Sequence, residues 1–206
     1  MAAMKVALLG AGHIGQTIAQ QLSASGDYAL TVADRSEAAL ARVGAGAART
    51  LRLEGEDATA LRRAIDGHDA VINALPYHLA TRAAQQAGAA GCHYFDLTED
   101  VAATRAIKEL AQGARTAFMP QCGLAPGFIG IVGQHLARGF ERLHELKMRV
   151  GALPAFPTNA LKYNLTWSVD GLINEYCHPC EAIRDGQRTE VLALEVLKAA
   201  EAQWNA

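Results

Sequence analysis

The chain has 206 residues, of which 50% are hydrophobic and 19% are charged, and its formal net charge is −2. This length and balance are typical of a globular protein with a sizeable core, and the near-neutral charge excludes an electrostatic footprint for nucleic acid. No apolar stretch approaches the ~20 residues that span a bilayer, so we expect no membrane contact. Because residues 1–5 run straight into the first predicted strand, they leave no room for a signal peptide and we expect a cytoplasmic protein.

The four cysteines do not amount to a disulfide framework in a chain of this size, and a cytosolic setting would keep them reduced. Cys177 and Cys180 have the spacing of a redox or zinc pair, but no second pair of ligands lies elsewhere in the sequence. We therefore predict that the protein binds no metal.

A glycine turn joins the first predicted strand to the first predicted helix. The apolar run 6–9 predicts the strand, residues 10–15 form a G-x-G-x-x-G pattern, and residues 14–22 have a helical pattern. A strand, a tight turn and a helix N-terminus aim backbone amides at one point, where the helix dipole favours a pyrophosphate. This pattern predicts a dinucleotide site.

Each glycine of this turn has its own role in the predicted site. Gly10 permits the tight turn, Gly12 lets the phosphates approach the backbone, and Gly15 lets the helix pack against the strand. We expect the first residues of the helix, His13 and Ile14, to contribute to cofactor binding, His13 through its backbone amide.

The second predicted strand, residues 28–33, ends in the acidic residue that the fingerprint requires. Asp34 is placed to accept hydrogen bonds from both ribose hydroxyls of an adenosine, which favours NAD because a carboxylate repels a 2′-phosphate. Arg35 follows directly and is able to pair with such a phosphate, so NADP stays an alternative.

The next segments alternate between strand and helix patterns. In chain order they are helix 37–43, strand 50–53, helix 58–65, strand 70–74, helix 78–87, strand 92–96, a helix that begins after 98–100 and runs to about 112, and strand 116–119. Six such units predict an α/β fold, a Rossmann-type doubly wound parallel sheet with helices on both faces. We assign residues 1–122 to an NAD(P)-binding domain.

The carboxyl ends of the strands of such a sheet rim one ligand crevice. We expect Asn73, Leu75 and Pro76 to contact the nicotinamide ribose and ring. Cys122 is predicted to face the same crevice. Asp57 either meets the adenine edge or caps the following helix.

Hydride transfer from an amine needs an acidic group near the ammonium and a group that takes its proton. Asp96 is the candidate base, if burial raises its pKa. Tyr77 and Tyr163 are the further catalytic candidates, able to orient the substrate through their hydroxyls or, alternatively, to act only in packing. Glu99 is a second acidic candidate, although capping of the next helix is the favoured role for it.

The pattern changes after residue 122, and residues 123–206 predict a partial α+β substrate and dimerisation domain. Its predicted elements are helix 128–138, strand 143–150, strand 163–168, a hairpin turn at Asp185-Gly186 and a helical pattern over 192–204.

Several of these segments together resemble the saccharopine dehydrogenase superfamily: residues 10–15, 75–77, 123–127, 151–154 and 163–168. Within it, residues 125–127 and 167–176 are most similar to the lysine 6-dehydrogenases. The resemblance covers residues 4 to about 190.

This resemblance implies an NAD(P)-dependent oxidoreductase that acts on the C–N bond of lysine or a lysine-derived amine, specifically oxidative deamination of the lysine ε-amino group. It implies a small amino-acid substrate, and we expect a homodimer. The substrate-binding positions that it supports are Tyr77, Thr98, Asn159, Tyr163 and Trp167. Cys122 is a further substrate-binding candidate, because it is predicted to face the crevice. The position equivalent to Ala125 is acidic in the saccharopine-forming relatives, which favours a simpler amine.

Two alternatives stay open. Arg35 would support a saccharopine-type reductase that uses NADP. The segment after Val191 does not resemble the family, whose members are longer, and this departure would fit a truncated nucleotide-binding remnant without turnover.

Overall fold

The computed structural model describes most of the first 160 residues and part of the rest. The described residues are 3–44, 49–148, 154–156, 158–160, 169–177, 179–184 and 187–192. The chain divides into two compact units, Met1–Asn164 and Leu165–Ala206. The boundary predicted after residue 122 lies within the first unit and stays a prediction.

A parallel sheet forms the centre of the first unit. Its strands are Met4–Leu9 (β1), Tyr28–Asp34 (β2), Arg49–Arg52 (β3), Ala70–Asn73 (β4), His93–Asp96 (β5) and Phe118–Met119 (β6). Among the described residues the order is β3-β2-β1-β4-β5-β6, and every pairing is parallel. The order reverses between β1 and β4, which is where ligands bind in open sheets of this kind.

Helices connect these strands as the alternating pattern predicts. They are His13–Ser25 (α1), Glu37–Gly44 (α2), Ala58–Ile65 (α3), Ala80–Ala90 (α4), Val101–Ala111 (α5) and Phe128–Ala137 (α6), with a short 3₁₀ turn, Tyr77–Leu79, ahead of α4. Asp57 caps α3 and Asp100 caps α5 through side-chain bonds to first-turn amides. The predicted doubly wound architecture is confirmed.

The core lies in two layers, one on each face of the sheet. Val6 and Leu8 of β1 pack into the layer beneath α1 and α2, whereas Leu9 packs into the layer beneath α3, α4 and α5. Successive side chains of a strand point to opposite faces, so one strand supplies both layers. A buried apolar run such as β1 therefore belongs in the middle of the sheet.

The strand predicted over residues 143–150 is wrong for the part that the structure describes. Residues 143–148 have no strand geometry, and Leu143 is exposed. Leu146 and Met148 lie instead against Gly133, the buried glycine of α6. Alternating hydrophobicity does not make a strand unless a neighbouring strand is available to pair with it, and here the apolar side chains pack on a helix.

The second unit contains one helix and one hairpin among its described residues. The helix is Val169–Cys177 (α7), which the sequence interpretation did not foresee. Strands Cys180–Arg184 (β7) and Gln187–Val191 (β8) are antiparallel, and Arg184 pairs with Gln187, so the predicted hairpin is confirmed. The predicted strand 163–168 and residues 193–204 of the helical pattern lie outside the described residues. In the described part of the chain, no helix has the length and apolar character needed to cross a membrane.

Leu61 of α3 is fully buried beneath the sheet, so we expect Leu61→Ala to lower the free energy of unfolding by about 2 to 5 kcal/mol. This loss of stability is the sum of the transfer free energy of the deleted methyl groups and the energetic cost of the cavity that they leave. Urea denaturation followed by circular dichroism measures it. Met4→Ala is the control, since Met4 is 44% exposed at the start of β1 and its truncation should change stability by no more than about 0.5 kcal/mol. Equal effects of the two substitutions would contradict this description of the core.

Candidate active site at the carboxyl edge of the sheet

The glycine turn holds the end of β1 directly against the end of β4. Gly10 has φ +102°, and its amide donates a hydrogen bond to the Ala33 carbonyl oxygen at 2.7 Å. A Cβ at this position would lie 2.6 Å from the Ala74 carbonyl oxygen, closer than any side chain tolerates. Only glycine combines this backbone conformation with this approach.

The N-terminus of α1 is open to a ligand. Gly12 is the N-cap, no side chain caps the helix in the described structure, and a Cβ at Gly12 would meet nothing within 4 Å. The amide of Gln16 makes the first helical bond, to the Gly12 carbonyl oxygen at 2.9 Å, so the amides of His13 and Ile14 precede it. These are the amides that bind phosphate at a helix N-terminus. A Cβ at Gly15 would run into the Gly10 carbonyl oxygen, so the third glycine allows helix and turn to approach each other.

The Asp34 carboxylate is fixed beside the turn by two backbone amides. Its Oδ2 accepts from Ala11 N at 2.7 Å, and its Oδ1 accepts from Ser36 N at 2.7 Å. A carboxylate has lone pairs left after two such bonds, so it remains able to accept from ribose hydroxyls. The arrangement places an acidic group at the end of β2, as predicted for the adenosine side of the cofactor.

Two arginines lie near Asp34. Arg35 follows it and is exposed. Arg52 is its partner across the sheet in β3, and the Arg52 guanidinium contacts Glu37 Oε1 at 3.3 Å and Glu54 Oε1 at 3.7 Å. Because these ion pairs are exposed, they hold Arg52 only weakly.

Asn73 connects the nicotinamide side of the predicted crevice to the interior of the sheet. It is 3% exposed at the end of β4; its Oδ1 accepts from Leu75 N at 3.2 Å, and its Nδ2 donates to the Tyr94 hydroxyl at 3.1 Å. Leu75 is half-buried and Pro76 is exposed directly after it. The Asn73 side chain therefore orients the loop that contains Leu75 and Pro76, the two other predicted nicotinamide contacts.

Asp96 lies at the end of β5, one strand further along, and is 1% exposed. Its Oδ1 accepts from Thr98 N at 3.0 Å and from Gln121 N at 3.2 Å, and its Oδ2 accepts from the Tyr94 hydroxyl at 2.9 Å. Burial raises the pKa of the Asp96 carboxyl, and these three hydrogen bonds oppose the rise. A buried carboxyl with a raised pKa is the kind of group that enzymes use for proton transfer near neutral pH.

Glu99 and Cys122 lie close to Asp96. The capping predicted for Glu99 is wrong, because the N-cap of α5 is the next residue, Asp100, whose carboxylate accepts from Ala103 N at 2.7 Å. Burial raises the pKa of Glu99, and the negative charges of Asp100 and Asp96 add to the rise. Cys122 is exposed, and desolvation together with the Asp96 charge raises the pKa of its thiol, which favours the protonated form.

Other predicted site residues make local contacts. Asp57 Oδ1 accepts from Thr59 N at 2.8 Å, the capping that was its alternative role. Thr98 is almost fully buried, and its hydroxyl accepts from the backbone N–H of Asp100, the N-cap of α5, at 3.2 Å. Tyr77 is half-buried and makes an edge contact with His78, with ring centroids 5.9 Å apart. Their cofactor and substrate roles stay predictions.

The remaining substrate positions lie beyond residue 150. Asn159 is exposed. Tyr163 and Trp167 lie outside the described residues. The roles assigned to these three residues also stay predictions.

Sequence reasoning missed Tyr94 and Gln121, which both bind the Asp96 carboxylate. A hydrophobic strand residue gave no reason to assign Tyr94 a polar function. Its position two residues before Asp96 does put both side chains on one face of β5, which is a usable signal. Gln121 has a positive φ of 65°, and nothing in its sequence context indicates that conformation.

Curated relatives match almost the whole chain. A saccharopine dehydrogenase [NADP(+), L-glutamate-forming] of Pyricularia oryzae is 25% identical over 97% of this chain and 46% of its own length. The protein of the same name in Saccharomyces cerevisiae is 26% identical over 94% of this chain and 45% of its own length. The chain thus spans about half the length of the curated relatives it matches.

Solved structures share the fold. An apo saccharopine dehydrogenase (L-Glu forming) from Saccharomyces cerevisiae superposes with a TM-score of 0.64 at 22% identity, covering 92% of this chain and 44% of that chain. An NAD binding oxidoreductase from Klebsiella pneumoniae superposes with a TM-score of 0.51 at 22% identity, covering 68% of this chain and 40% of that chain. At these identities the likeness concerns the fold alone, and it confirms the Rossmann-type architecture.

Gly12 and Gly10 should respond differently to substitution by alanine. Gly12→Ala has room in the folded chain, but its methyl group lies where the phosphates approach, so we expect dinucleotide affinity to fall about 10- to 100-fold with little change in melting temperature. Gly10→Ala should lower the melting temperature itself, because its methyl group meets the Ala74 carbonyl. Calorimetric titration with NAD and NADP and thermal denaturation measure the two effects.

Gly130→Ala is the control for this pair, since a Cβ there also meets nothing within 4 Å but lies in α6. It should leave dinucleotide affinity unchanged. Unchanged affinity in Gly12→Ala as well would refute the assignment of the α1 N-terminus to the phosphates.

Two family models divide the chain between them. The saccharopine dehydrogenase NADP binding domain matches residues 6–119, which include the glycine turn, Asp34, Asn73 and Asp96. The saccharopine dehydrogenase C-terminal domain matches residues 123–204, so the expectation that the segment after Val191 does not resemble the family is wrong. The NAD(P) cofactor predicted from the glycine turn is thereby confirmed, and the chain belongs to the saccharopine dehydrogenase family.

Proposed function

We propose that the protein is an NAD(P)-dependent oxidoreductase that acts on the C–N bond of lysine or a lysine-derived amine, with oxidative deamination of the lysine ε-amino group as its reaction. The observation that carries the proposal is that the dinucleotide turn and the candidate base lie at neighbouring strand ends. Gly10 abuts Ala74, which follows the end of β4. Asn73, the residue before Ala74, donates to the Tyr94 hydroxyl, and that hydroxyl donates to Asp96 at the end of β5. The fungal relatives are named as saccharopine dehydrogenases, which supports an amine substrate related to saccharopine.

The chain's residues divide the work of cofactor binding along the sheet edge. The amides that open α1 bind the diphosphate, and Asp34 accepts from the adenosine ribose. Asn73 orients Leu75 and Pro76 toward the nicotinamide side. When bound, the nicotinamide accepts the hydride that leaves the amine carbon.

The substrate loses a hydride from carbon and a proton from nitrogen, so the C–N single bond becomes an imine, which water converts to an aldehyde and ammonia. We assign the proton to Asp96, because its raised pKa makes the carboxylate a stronger base than an ordinary aspartate. Tyr77 and Tyr163 are assigned to orient the substrate, with Thr98, Cys122, Asn159 and Trp167 as its further contacts.

NAD is the proposed cofactor, with NADP as the alternative. The fixed negative charge of Asp34 at the end of β2 supports NAD, because it repels a 2′-phosphate. The exposed Arg35 beside it supports NADP, as do the NADP(+) names of the relatives.

Two other functions have specific support. A saccharopine-type reductase that uses NADP is favoured by the relatives' names and by Arg35. A nucleotide-binding chain without turnover is the other, and the match of the NADP binding domain over residues 6–119 supports its binding part. We also propose a cytoplasmic homodimer, for which the exposed Phe128 and Ile131 of α6 offer an apolar face.

Turnover with defined substrate pairs tests the function. The purified chain is mixed with NAD or NADP and with lysine or saccharopine, and absorbance of the reduced nicotinamide is followed. Lysine with NAD should give reduction, and activity should fall as pH falls through the raised pKa of Asp96, because the base must be ionised. Asp96→Asn should lower kcat at least about 100-fold while dinucleotide affinity stays unchanged.

Asp66→Asn serves as the control, because Asp66 is an exposed carboxylate that pairs with Arg62 on α3. Reduction only with saccharopine and NADP would establish the reductase alternative. Tight dinucleotide binding with no reduced nicotinamide formed from either amine would support the nucleotide-binding chain without turnover. Full activity in Asp96→Asn would remove Asp96 from the mechanism.

Cofactor choice is tested by removing the Asp34 charge while keeping its size. We expect Asp34→Asn to raise the affinity for NADP relative to NAD about tenfold or more, since asparagine no longer repels the 2′-phosphate. The ratio of the two dissociation constants from calorimetry measures this. Asp27→Asn, at the exposed opposite end of β2, should leave the ratio unchanged, and an unchanged ratio in Asp34→Asn would show that another residue selects the cofactor.

A further inference from the structure

We infer that Tyr94 is a positioning residue for Asp96: its buried hydroxyl fixes the carboxylate that takes the substrate proton. The inference rests on the proposed function, in which Asp96 is the base. Tyr94 reaches neither cofactor nor substrate in this assignment and acts through Asp96 alone.

The Tyr94 hydroxyl lies at the junction of three polar groups. It is 2.9 Å from Asp96 Oδ2, 3.1 Å from Asn73 Nδ2 and 3.1 Å from the Ala80 carbonyl oxygen. The hydroxyl carries one proton, so it donates to one acceptor at a time while it accepts from Asn73. The shortest distance is the one to the carboxylate, as is typical of a bond to a charged acceptor.

The register of the sheet makes this junction possible. Asn73 and Asp96 are paired across β4 and β5, and Tyr94 stands two residues before Asp96 on the same face of β5. The ring is fully buried among apolar side chains, with Phe118 at a centroid distance of 5.9 Å. Phenylalanine would fill this apolar space equally well, so only the polar partners require the hydroxyl.

The three hydrogen bonds hold both oxygens of the Asp96 carboxylate. Tyr94 binds Oδ2 from inside the sheet, while Thr98 N and Gln121 N bind Oδ1 from the two loops above it. Without the hydroxyl the carboxylate loses its interior contact and is held on one side only. The orientation of the base then depends on the two loops.

The groups around Asp96 determine the direction of the expected effect. The ionisable side chains that interact with the Asp96 charge are Tyr94, Glu99 and Cys122. Burial raises the pKa of Asp96, and the bond from Tyr94 opposes that rise. Removing the bond therefore raises the pKa further. Desolvation and the Asp96 charge raise the pKa of Tyr94 itself, so its hydroxyl keeps its proton.

Tyr94→Phe in the full chain is the test. We expect the acid limb of the kcat/KM profile to move to higher pH and kcat/KM on that limb to fall about tenfold, the effect of one hydrogen bond to a charged group. The affinity for the dinucleotide should stay unchanged, because Asn73 still accepts from Leu75 N when it loses its bond to Tyr94. Carbon-13 NMR of the Asp96 carboxyl, assigned by its loss in Asp96→Asn, should show the same upward shift in the absence of any substrate or cofactor.

Two controls separate positioning from a loss of stability. Tyr28→Phe removes a hydroxyl from a partly exposed tyrosine at the start of β2 and should change neither the profile nor the NMR titration. Ile107→Val makes a small cavity in the same core layer as Tyr94 and should lower stability without moving the acid limb.

The NMR titration keeps the inference separate from the proposed function. If the wild-type chain shows no turnover but the Asp96 carboxyl titrates at higher pH in Tyr94→Phe, the reaction is wrong and the positioning stands. If the titration and the acid limb both stay at the wild-type pH, the inference is overturned. Should Tyr94→Phe fail to fold, proton NMR of the wild-type chain decides: an exchange-protected Tyr94 hydroxyl proton supports the inference, and its absence overturns it.

Discussion

The close approach of the glycine turn to the end of β4 is the constraint on which the candidate site depends. Gly10 leaves no room for a side chain between its own Cα and the Ala74 carbonyl, so the backbones of two neighbouring strand ends meet there. This contact sets the distance between the α1 N-terminus, which suits a diphosphate, and the Asn73 loop, which suits the nicotinamide side. A dinucleotide bound here extends from the diphosphate site to the nicotinamide side, so both sites have to lie at the same edge of the sheet.

Polar side chains extend this arrangement along the sheet edge. Asn73 bonds to Tyr94, and Tyr94 bonds to Asp96, so a chain of buried hydrogen bonds runs from the cofactor loop to the candidate base. Buried polar groups are costly when one partner is missing, which makes such a network hold a single geometry. Burial also raises the pKa of Asp96. The hydrogen bonds at the ends of β4 and β5 thus orient the candidate base, and its burial there raises its pKa.

Particular residues show why parts of this site were predictable. The glycine turn and Asp34 depend on local backbone conformation and on a short spacing, both of which are visible in the chain itself. The predicted strand over 143–150 failed because its alternating pattern has two physical solutions, pairing with a strand or packing on a helix, and Leu146 and Met148 pack against α6. The capping predicted for Glu99 failed by one residue, because Asp100 is the acceptor with the right geometry for the Ala103 amide.

The sequence by itself therefore determined the strand and helix alternation, the dinucleotide turn and its acidic partner, since periodicity and turn chemistry act over a few residues. The tertiary structure alone decided that Gln121 binds Asp96 and that Asn73 is joined to it through Tyr94. Asn73 and Gln121 are far from Asp96 in the chain, and they reach it only through sheet register and the approach of the segment that follows β6. Hydrogen bonds between such distant positions produce no periodic sequence pattern, because they depend on the relative positions of β4, β5 and the segment after β6.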